Sequence, residues 1–165
     1  MNIKRIIKHL STGQAAVRSR FPRAVLKKIE HTIAQVEQTH AGQIRFAVED
    51  ALELSPLLVG QTARERAIEV FSQLRVWDTE HNNGVLIYLL LADRDVEIVA
   101  DRGVHAKLGQ TVWEAVCQEM EAAFRMGKFE EGVIAGVRGV GAHLAQHYPQ
   151  VGAKTNELPD QPVIL

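Results

Sequence analysis

From Gly84 to Ala92 the chain is apolar at every position apart from the Tyr88 hydroxyl, and it carries no charge. A bilayer span needs about 20 such residues, so this run is too short to cross a membrane and reads as a buried strand. It shows no polar alternation, so both of its faces need cover, which places it at the centre of a sheet with helices on either side. Ala92-Asp93-Arg94 turns the chain into Asp95-Val-Glu-Ile-Val-Ala100, another β-rich segment, and the two are expected to pair as a hairpin. Upstream, Gln43-Ile-Arg-Phe-Ala-Val-Glu49 alternates Ile44, Phe46 and Val48 with polar neighbours, the pattern of a half-buried strand. Between these strands Thr62 and Glu65 form a capping box, followed by an apolar stripe of Ala63, Ala67, Val70, Phe71 and Leu74. A strand, a helix and a second strand make a right-handed crossover. The expectation is an α/β single domain, a small mixed sheet sandwiched between helices (α/β/α).

Helical periodicity fills the rest. Residues 1–21 read as a basic N-terminal arm of one or two short helices broken at Ser11 to Gly13. Pro22 opens a longer helix whose core face is Val25, Ile29, Ile33 and Val36, with Gly42 as its end. Thr111 with Glu114 forms a second capping box, before Trp113, Val116, Cys117, Met120 and Phe124 at helical spacing. Gly127 ends that helix, and a last one carries Phe129, Val133, Val137, Val140 and Leu144 on one side. Glycines 132, 136, 139 and 141 lie in this last helix at a cost of about 1 kcal/mol each relative to Ala, which points to close packing against the sheet or a partner. Gly136-Val-Arg-Gly-Val-Gly141 has neither the order nor the position of a dinucleotide loop, so no nucleotide or redox cofactor is expected. The boundaries are thus an arm over 1–21, a domain over 22–148 and a polar tail over 149–165. The end of the tail either packs on the domain or adds to a sheet edge.

The net charge of −1 hides an asymmetry. Lys4, Arg5, Lys8, Arg18, Arg20, Arg23, Lys27 and Lys28 fall within the first 28 residues, and all 20 acids lie beyond them. Such an arm either lies across its own acidic domain or meets an anionic membrane surface. It lacks the aromatic interleaving that base stacking uses, so nucleic acid is not the expected partner; a protein partner stays open. No export signal or membrane span is legible, and a cytoplasmic location is expected. The single Cys117 excludes an internal disulfide framework and reads as a small buried hydrophobe.

Antiparallel pairing returns the end of the third strand to the start of the second. Two loops distant in sequence should thereby converge, one with Asp78, Glu80, His81, Asn82 and Asn83, the other with Asp101, Arg102 and His105. Hard cations take carboxylate and amide oxygens, so Asp78, Glu80 and Asp101 are candidate ligands for Ca²⁺, or for Mg²⁺. Asn82, Asn83, Arg102 and His105 are candidate binding residues, and Arg102 suits a carboxylate or phosphate. The segment is not an EF-hand: glycine comes one position late, and Leu89 stands where the closing Glu belongs. The competing reading is a solvated turn in which Asn83-Gly84 ends the preceding helix. His143 and His147 stand at metal-ligand spacing but also suit a helix C-terminus. No catalytic residue is assigned, since acid/base work by His81 or His105 rests on spacing alone and the common hydrolase, zinc-protease and kinase motifs are absent.

Asn82-Asn-Gly-Val-Leu-Ile87, Val96-Glu-Ile-Val-Ala-Asp-Arg-Gly103 and Phe124-Arg-Met-Gly-Lys-Phe-Glu-Glu-Gly132, in this order after Ile44 to Val48 and Phe71-Ser-Gln-Leu74, resemble the TPM domain. The resemblance covers about residues 22–148. It implies a sheet sandwiched by helices and a link to calcium binding; a thylakoid relative is described as an acid phosphatase and an animal relative as a receptor accessory protein. The sequence departs from the family pattern at Gln43, where many members carry Glu, and at Leu108-Gly-Gln110, where Leu-Thr-Asp is common. The expectation is a soluble, stand-alone version without the signal peptide and C-terminal anchor of many relatives. Three functions follow as expectations. The first is a soluble module binding a cation or small anion at the acidic, amide-rich sheet edge. The second is a metal-assisted acid phosphatase in which Arg102 stabilises developing charge. The third is an accessory domain that meets a membrane surface or another protein.

Overall fold

Strand β2 (Gly84–Leu90) is buried along its whole length, as its unbroken apolar sequence requires. It pairs in parallel with β1 (Gln43–Glu49), from Gln43 opposite Gly84 to Glu49 opposite Leu90. On its other side it pairs antiparallel with β3 (Asp95–Ala100), from Val85 opposite Ala100 to Leu90 opposite Asp95. A two-residue strand, β4 (Val163–Ile164), adds to β1 in parallel and gives the sheet order β3-β2-β1-β4. This computed structural model describes residues 3–152 and 155–165; positions 1, 2, 153 and 154 of the expected arm and tail lie outside the described residues.

One face of the sheet presents Ile44, Phe46, Val48, Ile87 and Leu89 to α3 (Arg23–Val36), α7 (Thr111–Arg125) and α8 (Phe129–His147). The other presents Ala47, Leu86, Tyr88 and Leu90 to α4 (Leu54–Leu58) and α5 (Ala63–Gln73), which carry the chain from β1 to β2. The layered α/β/α arrangement is therefore present. The Thr62 and Glu65 capping box opens α5, with the Glu65 N–H donating to Thr62 Oγ1 at 3.1 Å and the Thr62 N–H to Glu65 Oε2 at 2.8 Å.

Several local expectations change. Strand β1 is buried on both faces rather than one, because the Gln43 and Arg45 side chains bond the C-terminal tail while Ala47 and Glu49 pack against α5. Helix α3 ends at Val36 and passes into a tight turn over Glu37–Thr39. Gly42 is not its cap: a Cβ there would stand 3.0 Å from a Leu144 methyl, so Gly42 answers to close packing. Thr111 does not cap α7 either, since Gln110 holds that position and its carbonyl accepts the Trp113 and Glu114 N–H groups. Glycines 132 and 136 of α8 do mark close approach, but to α7 rather than to the sheet. A Cβ on Gly136 would fall 2.2 Å from Met120 Sδ, and one on Gly132 2.6 Å from the Phe124 ring. Gly141 makes room for Val36 of α3 in the same way.

The arm forms α1 (Ile3–Ser11) and α2 (Gln14–Arg20), with the break at the expected place. It lies on its own domain. Arg5 Nε donates to Asp93 Oδ2 at 2.9 Å, and Lys8 Nζ stands 3.8 Å from the same carboxylate. The Leu52 N–H donates to His9 Nδ1 at 2.9 Å, which leaves Nε2 as the protonated nitrogen facing Asp93 at 3.1 Å. Among the described residues, no helix is long and apolar enough to cross a membrane.

Candidate functional site

At the end of the sheet where β1 and β2 begin and β3 finishes, backbone contacts press two loops together. The Asp101 N–H donates to the Gly84 carbonyl at 2.9 Å. A Cβ at Gly103 would come within 2.6 Å of the Asn82 carbonyl oxygen and 3.2 Å of that of His81. Gly84 is equally constrained, because a Cβ there would reach 2.0 Å from the Val76 carbonyl oxygen. Asn82 adopts φ 49°, the left-handed conformation that Asn tolerates better than most side chains.

The segment after β3 is a helix and not the expected loop. Asp101 caps α6 (Arg102–Leu108), with Oδ1 accepting the Arg102 N–H at 2.6 Å. Its second oxygen, Oδ2, is buried and takes no hydrogen bond from a described residue. Asn83 is fully buried: its N–H donates to Thr79 Oγ1 at 3.0 Å and its Nδ2 to the Ala41 carbonyl at 2.9 Å. Among the described residues its Oδ1, like Asp101 Oδ2, has no donor. A buried acceptor without a partner costs about 1–3 kcal/mol, and two stand on residues joined through the Gly84 carbonyl.

The tail supplies what the sequence did not reveal. Gln43 Oε1 accepts the N–H groups of Glu157 and Leu158 at 3.1 and 3.2 Å, and its Nε2 donates to the Thr155 carbonyl at 3.3 Å. A carboxylate could not make that last bond, which gives the departure from the family's Glu a structural purpose. Arg45 donates to the carbonyls of Pro159 and Gln161. Glu157 then reaches back, its Oε2 accepting the Glu80 N–H at 2.8 Å. A cavity of about 120 Å³ opens here, lined by Ala41, Glu80, His81, Gln150, Thr155 and Glu157. Tyr148 lies close enough to Asp101 to feel its charge; burial first and that carboxylate second push its hydroxyl above the usual range. The signal for the tail contact was Leu158, an apolar residue inside a polar segment.

The remaining predicted residues are exposed. Asp78, Glu80, His81, Asn82, Arg102 and His105 all face solvent. Among the described residues, no group of three or more His, Cys, Asp or Glu side chains is placed to hold a metal ion. A hard cation at this edge would therefore be held by one or two carboxylates together with amide and carbonyl oxygens and water, a donor set that Ca²⁺ accepts. His143 packs edge-on against the Trp113 ring, with centroids 6.1 Å apart. The Cys117 thiol is pushed up to about 12 by burial and then by Glu97 and Glu121, which leaves it unreactive.

The family profile of the TPM domain matches residues 19–143. Among solved structures, the chain is similar to the BA42 protein of the psychrophilic bacterium Bizionia argentinensis, determined by NMR. The two share 27 % identity over 86 % of this chain and 92 % of that one, with a TM-score of 0.75. It also shares its fold with the N-terminal domain of a P. gingivalis protein, at 19 % identity and a TM-score of 0.61 over 79 % and 81 % of the two chains. Comparison with curated proteins returns no match.

Proposed function

Because this chain belongs to the TPM domain family, we propose that it is a binding module for a divalent cation, Ca²⁺ above Mg²⁺, at the edge where β1 and β2 begin. The observation that carries this reading is the pair of buried oxygens without donors, Asp101 Oδ2 and Asn83 Oδ1. A cation takes just such acceptors and relieves the cost of leaving them bare. Asp101 Oδ2 is the charged ligand, Asn83 Oδ1 a neutral one, and Glu80 and Asp78 on the exposed rim attract the ion. The phosphatase alternative needs the same ion, with Arg102 holding a phosphate.

Titration calorimetry of the full chain with CaCl₂ and MgCl₂ tests the reading. With so few carboxylates, the expected Kd for Ca²⁺ is on the order of 10⁻⁴ to 10⁻³ M, weakened at least about tenfold in Asp101→Asn. Asparagine keeps the helix cap but drops the charge, so this variant should stay folded. The absence of heat at several times that concentration, or unchanged affinity in Asp101→Asn, overturns the proposal. Phosphomonoester turnover that requires both the metal and Asp101 would replace binding by the phosphatase reading.

A further inference from the structure

Helix α1 docks by its polar side. Its residues turned to the domain are Arg5, His9 and, in part, Ile6; His9 is only 3 % exposed. The three remaining aliphatic residues, Ile3, Ile7 and Leu10, are 63 %, 61 % and 69 % exposed. At 100° per residue these three fall on one stripe, with Lys4 and Lys8 along its flank. An ordinary surface helix does the reverse and hides its apolar stripe. The inversion here is held in place by the specific bonds of Arg5 and His9 to Asp93, Gln61 and the Leu52 N–H. Helix α4 packs beside α1 and leaves Leu54, Leu58 and Val59 exposed as well.

The charge beside the stripe selects its occupant. Residues 3–11 contain Lys4, Arg5 and Lys8 and no acid. Asp93, the carboxylate against which they dock, is already matched by Arg5, His9 and Lys8. Glu53 precedes α4, so the charge argument rests on α1 alone. An aliphatic stripe flanked by lysines, with no acid of its own, is the composition of a helix that lies in the interface of an anionic bilayer. Each lysine near such a surface adds attraction to the burial of the stripe.

We propose that the Ile3, Ile7 and Leu10 face of α1 seats this domain on an anionic lipid surface, with Lys4 and Lys8 at the headgroups. The protein would then lie on the membrane without crossing it. The site is independent of the cation edge, and the test is run in EDTA so that the two cannot be confused.

The full chain is spun with vesicles of phosphatidylcholine alone and of phosphatidylcholine mixed with phosphatidylglycerol. Pelleting is expected with the anionic vesicles only, falling as salt is raised. Ile3→Ser/Ile7→Ser/Leu10→Ser and Lys4→Glu/Lys8→Glu should each weaken it at least about tenfold, because the apolar and the charged contributions are both needed for stable attachment. The serine variant keeps the Arg5 and His9 bonds and its thermal midpoint should not change; Lys8→Glu sets a second carboxylate beside Asp93, so the charge effect is also read in Lys4→Glu alone, a side chain outside the Asp93 ion pairs. No pelleting of the unaltered chain, or equal pelleting by the serine variant, overturns the proposal. A dimer in light scattering that the serine variant dissolves, without vesicle binding, overturns it in favour of a second copy on the same face.

Discussion

The two ends of the sheet bury similar chemistry and treat it in opposite ways. At the end where β1 and β2 finish, Glu49 is held by Arg66, whose Nε and Nη2 stand 2.9 Å from its two oxygens, and by the Tyr88 hydroxyl at 2.5 Å. Hydrogen bonds donated to Glu49 raise the Arg66 guanidinium against the pull of burial, and burial and then Glu49 raise the Tyr88 hydroxyl. Both carboxylate oxygens of Glu49 are satisfied there. At the opposite end Asp101 and Asn83 are as deeply buried, yet each keeps an oxygen with no donor among the described residues. A closed network stabilises the fold, whereas an open one leaves acceptors for a ligand.

The largest expected effect comes from breaking the closed end. Glu49→Ala leaves the buried Tyr88 hydroxyl without its acceptor and the half-buried Arg66 guanidinium with Glu69 alone, and should cost about 3 kcal/mol in urea unfolding. Next comes the tail at the open end. Gln43→Ala strips acceptors from the Glu157 and Leu158 N–H groups and should cost about 2 kcal/mol, with faster amide exchange along residues 155–165.

The third prediction concerns pH. Burial first, then Glu97, Glu121 and Asp93, push the Asp95 carboxyl up to about 6. Its folded value exceeds its unfolded one, so the folded state binds the extra proton and stability falls as pH rises from about 4 to 6. Asp95→Asn should therefore stabilise the protein at pH 7 by on the order of 1 kcal/mol after solvent screening, with the gain vanishing below about pH 4. Asp93 has the opposite sign: burial raises it, but hydrogen bonds from Arg5 and His9 outweigh burial and hold it below its usual range. Its contribution is present above the ordinary Asp value and is lost as pH falls through the folded one. The smallest effect on stability is expected of Asp101→Asn, under about 1 kcal/mol because the cap survives. A loss as large as that of Glu49→Ala would erase the distinction between the two ends.

Sequence pattern carried most of the architecture. Burial on both faces of β2, the hairpin into β3, the parallel pairing with β1 and the cap of α5 all followed from local periodicity and side-chain chemistry. The candidate site was legible only in part. Asn83 and Asp101 could be brought to one sheet end because antiparallel pairing makes the chain return. That Arg102 begins a short helix, and that Asp78, Glu80 and His105 stay in solvent, depends on local backbone geometry that spacing does not encode.

What the amino-acid sequence determined by itself was which segments must be hidden, because burial of apolar surface follows residue by residue from composition and period. Only the tertiary structure decided which polar groups end up paired. Gln43 looked like a lost carboxylate until the tail, more than a hundred residues away, was seen to use its amide. Helical spacing placed Ile3, Ile7 and Leu10 on one stripe of the arm, and only the bonds of Arg5 and His9 turned that stripe outward. Hydrogen bonds are directional and short, so their partners are fixed by the meeting of distant segments and not by neighbours along the chain.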